Sequence, residues 1–417
     1  MSFGIAIKWR DPYQSMHNIF TLKITKSIIT FYPYRYTLNP CFFTSQDFLY
    51  YHATTPLAKT YLGIQEYRES ITPTHVFAGA SGLLTPDLSD SHPLDYGPYQ
   101  NLSDGLFLAN GTQPVLWNDK GYVAATARQE PSSGWRTIFW GFPWETLPQS
   151  ARQSSMRRSL GWLGDLGNST IEGSKSTTGS NSPLTYTITI RNWQSAPTNE
   201  TWLTNTLPAD LHIQPQSVTG GAHYHPASHT LTWQGLLAPS GQHTITYLAQ
   251  PTANLTTTTL LNRAEFSYAR HQLVYDQTAP LVINAADLSC SQLRVDAQRA
   301  GDTYEIALSL ILKNDNPAAG AQVTAVIPLH DHVTPVTDTA AASAGLTQLI
   351  GDELQWQGII AANQSITISL MLTRVVSLDM SWLPVTAVIR QANGLPLILY
   401  QQKQLPAYRV YFPFIAK

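Results

Sequence analysis

The residues able to do chemistry in this chain lie mainly in three groups. The first combines His52, His75 and His92 with Asp47, Asp87, Asp90 and Asp95, types that serve acid–base catalysis or metal binding when they converge. Three of these acids fall between Pro86 and Tyr96, which raises the idea of a hard-cation loop. Their Asp-x2-Asp-x4-Asp intervals lack the fixed spacing of an EF-hand, and a solvated Ser/Asp/Pro loop is the reading adopted. The other two groups are His223-Tyr224-His225, bracketed by Gly220-Gly221 and Pro226, and His330-Asp331-His332 after Pro328. Both read as exposed loops rather than metal sites. No Gly-x-Ser-x-Gly elbow occurs anywhere, so a Ser-His-Asp triad cannot be argued. The two cysteines, Cys41 and Cys290, are far apart and fit no metal-ligand spacing or disulfide framework. No catalytic, cofactor-binding or metal-ligating residue is therefore assigned, no cofactor is implied, and the chain is expected not to be an enzyme.

The elements that would have to position any site are dominated by a repeat. Thr230-Leu231-Thr232-Trp233-Gln234-Gly235-Leu236-Leu237 returns as Glu353-Leu354-Gln355-Trp356-Gln357-Gly358-Ile359-Ile360. Each copy is preceded by an alternating strand ending in Asn (Leu184 to Asn192, Tyr304 to Asn314) and by a Leu-Pro or Ile-Pro step (Leu207-Pro208, Ile327-Pro328). Each is followed by a polar turn and a β-rich run. Four landmarks in one order, twice, define an internal repeat of about 120 residues. Leu184, Tyr186, Ile188 and Ile190 alternate with Thr185, Thr187, Thr189 and Arg191, giving one buried and one wet face. About seven short strands per copy, without helical periodicity, point to immunoglobulin-like sandwiches. Trp233 and Trp356 read as packing residues, with sugar stacking as the alternative.

Composition agrees. Across 417 residues only 12% are charged, about half the usual share, so Ser, Thr, Asn and Gln must supply the polar surface. That balance suits extracellular β-proteins. A net charge of −2 gives no electrostatic basis for binding nucleic acid, and no run of about 18 apolar residues could span a membrane.

Before the repeats, Val115-Leu116-Trp117, Tyr122 to Ala125 and Thr137 to Trp140 read as strands. The last leads through Gly141-Phe142-Pro143-Trp144 to a helix over Ala151 to Leu163, stopped at Gly164. Phe43-Thr44-Ser45-Gln46-Asp47, Tyr61-Leu62-Gly63-Ile64, Ile138 to Leu147 and Leu160-Gly161-Trp162-Leu163 resemble the C-terminal half of non-catalytic glutamine-amidotransferase-like domains. Such domains often accompany proteases in secreted bacterial proteins. The resemblance implies an α/β fold without the activity: Cys41 is followed by Phe42-Phe43 with no glycine elbow, and the region has no His-x-Glu.

Leu184 to Asn192, Thr206 to Leu211, Leu231-Thr232-Trp233, Leu237 to Gly241 and Leu261 to Phe266 closely resemble the conserved repeat domain of bacterial surface proteins, domain of unknown function eleven. This implies an extracellular β-sandwich repeated in tandem, without known catalytic residues. The second copy lacks the usual Leu-Asn-x-Ala step and carries an Asn393-Gly394 hairpin signal instead. The segment Met1 to Pro40, basic and aromatic without clean periodicity, reads either as an ordinary strand and loop or as the product of a misplaced start, which would make the chain a fragment. The Tyr408 to Lys417 tail reads as a docking strand or a sorting signal.

The expected fold class is mostly β: two tandem immunoglobulin-like β-sandwiches after a small, incomplete α/β domain. The expected domains are 1–40 (atypical segment), 41–166 (α/β), 167–183 (a Ser/Thr/Gly-rich flexible linker), 184–285 and 286–403 (sandwiches) and 404–417 (tail). The expected function is that of an extracellular or cell-surface structural or adhesion-type protein, with the repeats as spacer or display modules. Cell-envelope components or other surface proteins are the partners this suggests. The alternative is the C-terminal accessory region of a secreted subtilisin-like or metallo-protease whose catalytic domain is absent from this chain.

Overall fold

The computed structural model describes residues 4–8, 19–23, 41–45, 48–79, 83–84, 87–130, 135–194, 196–198, 200–268, 274–317, 319–330, 332–376, 381–392 and 394–405. Most of the 1–40 segment, the 406–417 tail, Asp47, Asp331 and Asn393 lie outside them. The chain divides into two compact units, residues 1–285 with 391–396 and residues 286–390 with 397–417.

The first unit opens with a mixed sheet. Its strands run in the order Ile19–Lys23, Gly4–Lys8, Cys41–Thr44, Arg136–Trp140, Val123–Gln129, Thr112–Asn118, His75–Phe77, His92–Pro93, with Ile64–Arg68 and Gly105–Leu108 branching from Val123–Gln129. Cys41–Thr44 and Arg136–Trp140 are parallel; the other described pairings of this sheet are antiparallel. Every residue of Arg136–Trp140 is buried, because both faces are covered. Phe42, Ile138 and Trp140 share a core with Ala151 and Leu163 of helix α2 (Gln149–Leu163). On the opposite side, Phe43 and Phe139 pack against Phe48 of helix α1 (Phe48–His52), with ring centroids 4.6 and 5.8 Å from that of Phe48.

Helix α2 ends at Gly164, where the sequence placed the stop. Met156, Leu160 and Leu163 fall three or four apart, a spacing that suggests one apolar row, but of the three only Leu163 is buried. The buried stripe consists of Ala151, Ser155, Ser159, Gly161 and Leu163 with Arg158 among them, while Met156 and Leu160 are half-buried. Small side chains let the helix axis come close to its neighbours.

The first sandwich follows in the same unit. One sheet orders Thr170–Gly173, Leu184–Arg191, Gln242–Pro251, Leu211–Ile213. The other orders Thr177–Thr178, Val274–Ile283, Thr258–Tyr268, Thr201–Thr206, Thr230–Gly235, His223–His225. The alternating buried residues of both sheets form one core, including Tyr186, Ile188, Ile190, Leu203, Trp233, Tyr247 and Phe266. The stretch 167–183 is not a free connector. Thr170–Gly173 pairs antiparallel with Leu184–Arg191, and Thr177–Thr178 pairs parallel with Val274–Ile283. Leu166 and Ile171 are buried in the sandwich core. Thr170, Thr177 and Thr178 are strand residues here, the last two buried, so polar composition misled.

The second unit repeats the main strands of this plan. Its sheets order Gln292–Ala300, Thr303–Lys313, Ser365–Val375, Thr334–Pro335 and Leu346–Ile350, Glu353–Ile360, Ala321–Pro328, Trp382–Gln391, Leu397–Gln404. Nine strands of each sandwich correspond in place; Ala341–Ala342, which also pairs with Ser365–Val375, is found only in the second among the described residues, and Thr177–Thr178 only in the first. The architecture is mostly β, with two immunoglobulin-like sandwiches after the α/β region.

Matching residues hold each sandwich together internally. Asn192 and Asn314 are both fully buried. Asn192 donates through Nδ2 to the carbonyls of Ala196 (2.7 Å) and Ala238 (3.0 Å); Asn314 does the same to Ala319 (2.8 Å) and Ala361 (3.0 Å). Each Oδ1 accepts a backbone N–H two residues on, from Gln194 and from Asn316. One amide thus satisfies loop carbonyls and a turn that have no ladder partner. The Trp-Gln-Gly motif has an equally local cause. Residues two apart on a strand share a face, and each Trp lies over the glycine beyond it. A Cβ on Gly235 would stand 2.4 Å from the Trp233 ring, and one on Gly358 2.6 Å from the Trp356 ring.

Candidate functional site

The histidines and acids singled out in the sequence are dispersed by the fold. His75 and His92 lie on paired strands, where Val76 is the partner of His92. The His75 ring contacts the Thr74 hydroxyl at 2.7 Å, and that hydroxyl donates to Asp119 at 2.6 Å. Asp119 was not singled out from sequence; it also accepts the Thr74 backbone N–H at 3.0 Å and so closes a loop. Asp95 caps its own turn by accepting the Gly97 N–H. Asp87 pairs with Arg158, Asp90 is exposed, and His52 packs against Phe48.

The second histidine group is on an edge strand rather than in a loop. His223–His225 pairs with Thr230–Gly235, and the His225 ring contacts the Thr232 hydroxyl at 2.9 Å. His330 is buried and meets the Pro384 carbonyl. Among the described residues, no group of three or more His, Cys, Asp or Glu is placed to hold a metal ion. Cys290 is exposed, and a hydrogen bond to Asp315 together with that residue's negative charge pushes its thiol pKa up, the reverse of nucleophile activation.

Charge concentrates instead where α2 meets the first sandwich. Arg158, only 3% exposed, donates through Nε to Asp87 at 2.6 Å and through Nη2 to Asp276 at 3.2 Å. It also reaches the Asp276 carbonyl and the Thr278 hydroxyl. Asp276, equally buried, is paired a second time by Arg263 at 3.0 Å. Glu265 then bridges Arg263 and Arg157, each at 2.9 Å. Gly161 allows the approach: a Cβ there would lie 2.9 Å from the Tyr275 Cα.

A second cation seals the other end of the joint. Arg136 is fully buried, with its guanidinium between the faces of Trp162 and Trp193, 5.0 and 4.4 Å from the ring centroids. It donates to the carbonyls of Trp162 and Gly164, and the latter also accepts the Trp193 indole N–H at 2.6 Å. Burial pushes its pKa down to about 9, with Tyr275 and Asp165 pulling the other way, so it stays a cation at neutral pH. Carbonyl oxygens and indole faces replace the water it gave up. These contacts make the α/β region and the first sandwich one continuous body.

The core of the first sandwich holds a buried polar cluster. Asn205 Nδ2 donates to Asn262 Oδ1 (2.6 Å), Tyr247 donates to Asn205 Oδ1 (2.6 Å), and Asn262 Nδ2 donates to the Tyr247 hydroxyl (2.7 Å). Tyr186 pairs with Tyr247 and stacks on it at 5.5 Å. At the positions set by the Asn and Leu/Ile-Pro landmarks, the second copy has Leu308, Leu370 and Ala325, all buried. The same fold is therefore built on two different cores.

A scan against known protein families finds no match, and no curated protein matches. Solved structures give low-similarity hits. The C-terminal domain of the Streptococcus agalactiae AgI/II polypeptide BspA is 9% identical, with 56% of this chain and 98% of that chain covered, at a TM-score of 0.25. The C-terminal domain of the Streptococcus pyogenes antigen I/II-family protein AspA is 8% identical, covering 58% and 100%, at 0.24. A collagen-binding domain from a Staphylococcus aureus adhesin is 10% identical, covering 27% and 96%, at 0.21. At such TM-scores these likenesses bear on neither fold nor function.

Proposed function

We propose that this is a non-enzymatic extracellular or cell-surface structural protein whose tandem sandwiches serve as spacer and display modules. One observation carries the reading: the sandwich is built twice on the same plan, and the features kept in both copies, the Asn staples and the Trp-over-Gly contacts, are architectural. Duplicating a module in this way supplies length and surface rather than a reacting group. The low charge and the Thr- and Ser-lined outer faces suit an extracellular setting, as does the resemblance to the surface-protein repeat domain. Among the described residues, no helix is long and apolar enough to cross a membrane.

A second reading, as the accessory region of a secreted protease, is favoured by the strand, turn and helix over 136–163, the unit expected of an amidotransferase-like domain. Protease shaving of intact source cells tests the proposal. Peptides of both sandwiches should be released without a cytoplasmic marker; recovery only after lysis would overturn it. Release in a complex that degrades casein would favour the second reading.

A further inference from the structure

The end strand Leu346–Ile350 of the second unit is unlike its counterparts. Edge strands invite pairing unless they are short, charged or interrupted by proline. In the same sandwich, Gln292–Ala300 carries Arg294, Asp296 and Arg299, Leu397–Gln404 carries Lys403, and Thr334–Pro335 is two residues ending in Pro. The equivalent strand of the first sandwich, His223–His225, has three residues. Leu346-Thr347-Gln348-Leu349-Ile350 has none of these protections: it has five residues, no charge and no proline.

Its one described pairing is with Glu353–Ile360, with Leu346 opposite Gln357 and Ile350 opposite Glu353. Leu346, Gln348 and Ile350 share the outward face, where Leu346 is 58% and Ile350 50% exposed, and Ile359, 69% exposed, lies diagonal to Leu346.

We infer that this edge pairs antiparallel with the same edge of a second copy, joining two five-stranded sheets into one. The sequence of the strand selects that occupant. With Gln348 on the two-fold axis, Leu346 of each copy faces Ile350 of the other, and the two Gln348 amides face each other. The strand is its own complement, as a two-fold interface requires, and cross-strand aliphatic pairs of this kind stabilise a sheet. Ile359 continues the apolar strip at either side. This goes beyond the spacer role, since it sets how two such chains associate.

The test is sedimentation equilibrium of the full chain over a range of concentrations. The wild-type chain should shift from 46.1 kDa to twice that mass. Leu346→Lys with Ile350→Lys opposes like charges across the axis and should abolish the dimer. Leu346→Glu with Ile350→Lys opposes unlike charges in the same register and should restore it, which separates loss of pairing from loss of folding. A wild-type chain that stays at 46.1 kDa, whether its edge is bare or reserved for a foreign strand, overturns the inference. So do two double variants with the same mass.

Discussion

Replacing Arg158 by Met should destabilise the first unit by about 3–5 kcal/mol, because removing one member of a buried ion pair strands the other. Asp276 is as buried as Arg158 and would keep only Arg263, which is 43% exposed on its side chain. That remaining partner places the loss toward the lower end of the range. The Thr278 hydroxyl and the Asp276 carbonyl would lose a donor at the same time. Adding Asp276→Asn removes the stranded charge, so the double variant should lose less than the sum of the single losses. Urea denaturation followed by tryptophan fluorescence measures all three. A loss below about 1 kcal/mol, the scale of an exposed pair, would mean that helix and sandwich are not joined through this cluster.

Trp356→Ala should cost the second sandwich about 3–5 kcal/mol, the range for truncating a buried aromatic. Trp356 is 2% exposed, and its indole N–H donates to the Ala344 carbonyl at 2.8 Å. The more specific expectation concerns the glycine beneath it. Gly358→Ala in the wild-type chain drives a methyl into the ring, 2.6 Å from the ideal Cβ position. Once the ring is gone, the close contact that remains is the Gly345 Cα at 3.2 Å, which a shift of a few tenths of an ångström relieves, and alanine restricts the unfolded chain more than glycine does. Gly358→Ala should therefore destabilise the wild-type chain and be neutral or stabilising in Trp356→Ala. A substitution with the same sign in both backgrounds would refute the Trp-over-Gly explanation of the repeated motif. Trp233 and Gly235 should behave alike, more weakly, because Trp233 is 9% exposed and stacked on His243.

What could be read from sequence follows from how local each cause is. Alternation over 184–191 and the repeated landmarks depend on neighbours two residues apart or on a fixed order, so the sandwiches and their duplication were visible. The strand, turn and helix over 136–163 were visible for the same reason. The polar joint was not. Asp87, Arg158, Arg263 and Asp276 span almost 190 positions, and nothing local marks any of them as a partner of the others. The buried face of α2 escaped because Ala, Ser and Gly give no hydrophobic period. The strands in 167–183 escaped because only Ile171 among Thr170–Gly173 is buried. Leu346–Ile350 could be read as a strand between Gly345 and Gly351, but its place at a sheet edge is a property of topology alone.

The most direct test of this account is hydrogen exchange across residues 167–183, since polar composition and the observed pairing there predict opposite results. If the α/β region and the first sandwich form one body, amides of 170–173 that bond to Leu184–Arg191 should exchange as slowly as that strand's own. Exchange at the rate of an unstructured peptide would contradict it, returning the stretch to a free linker and the two folded parts to independent domains.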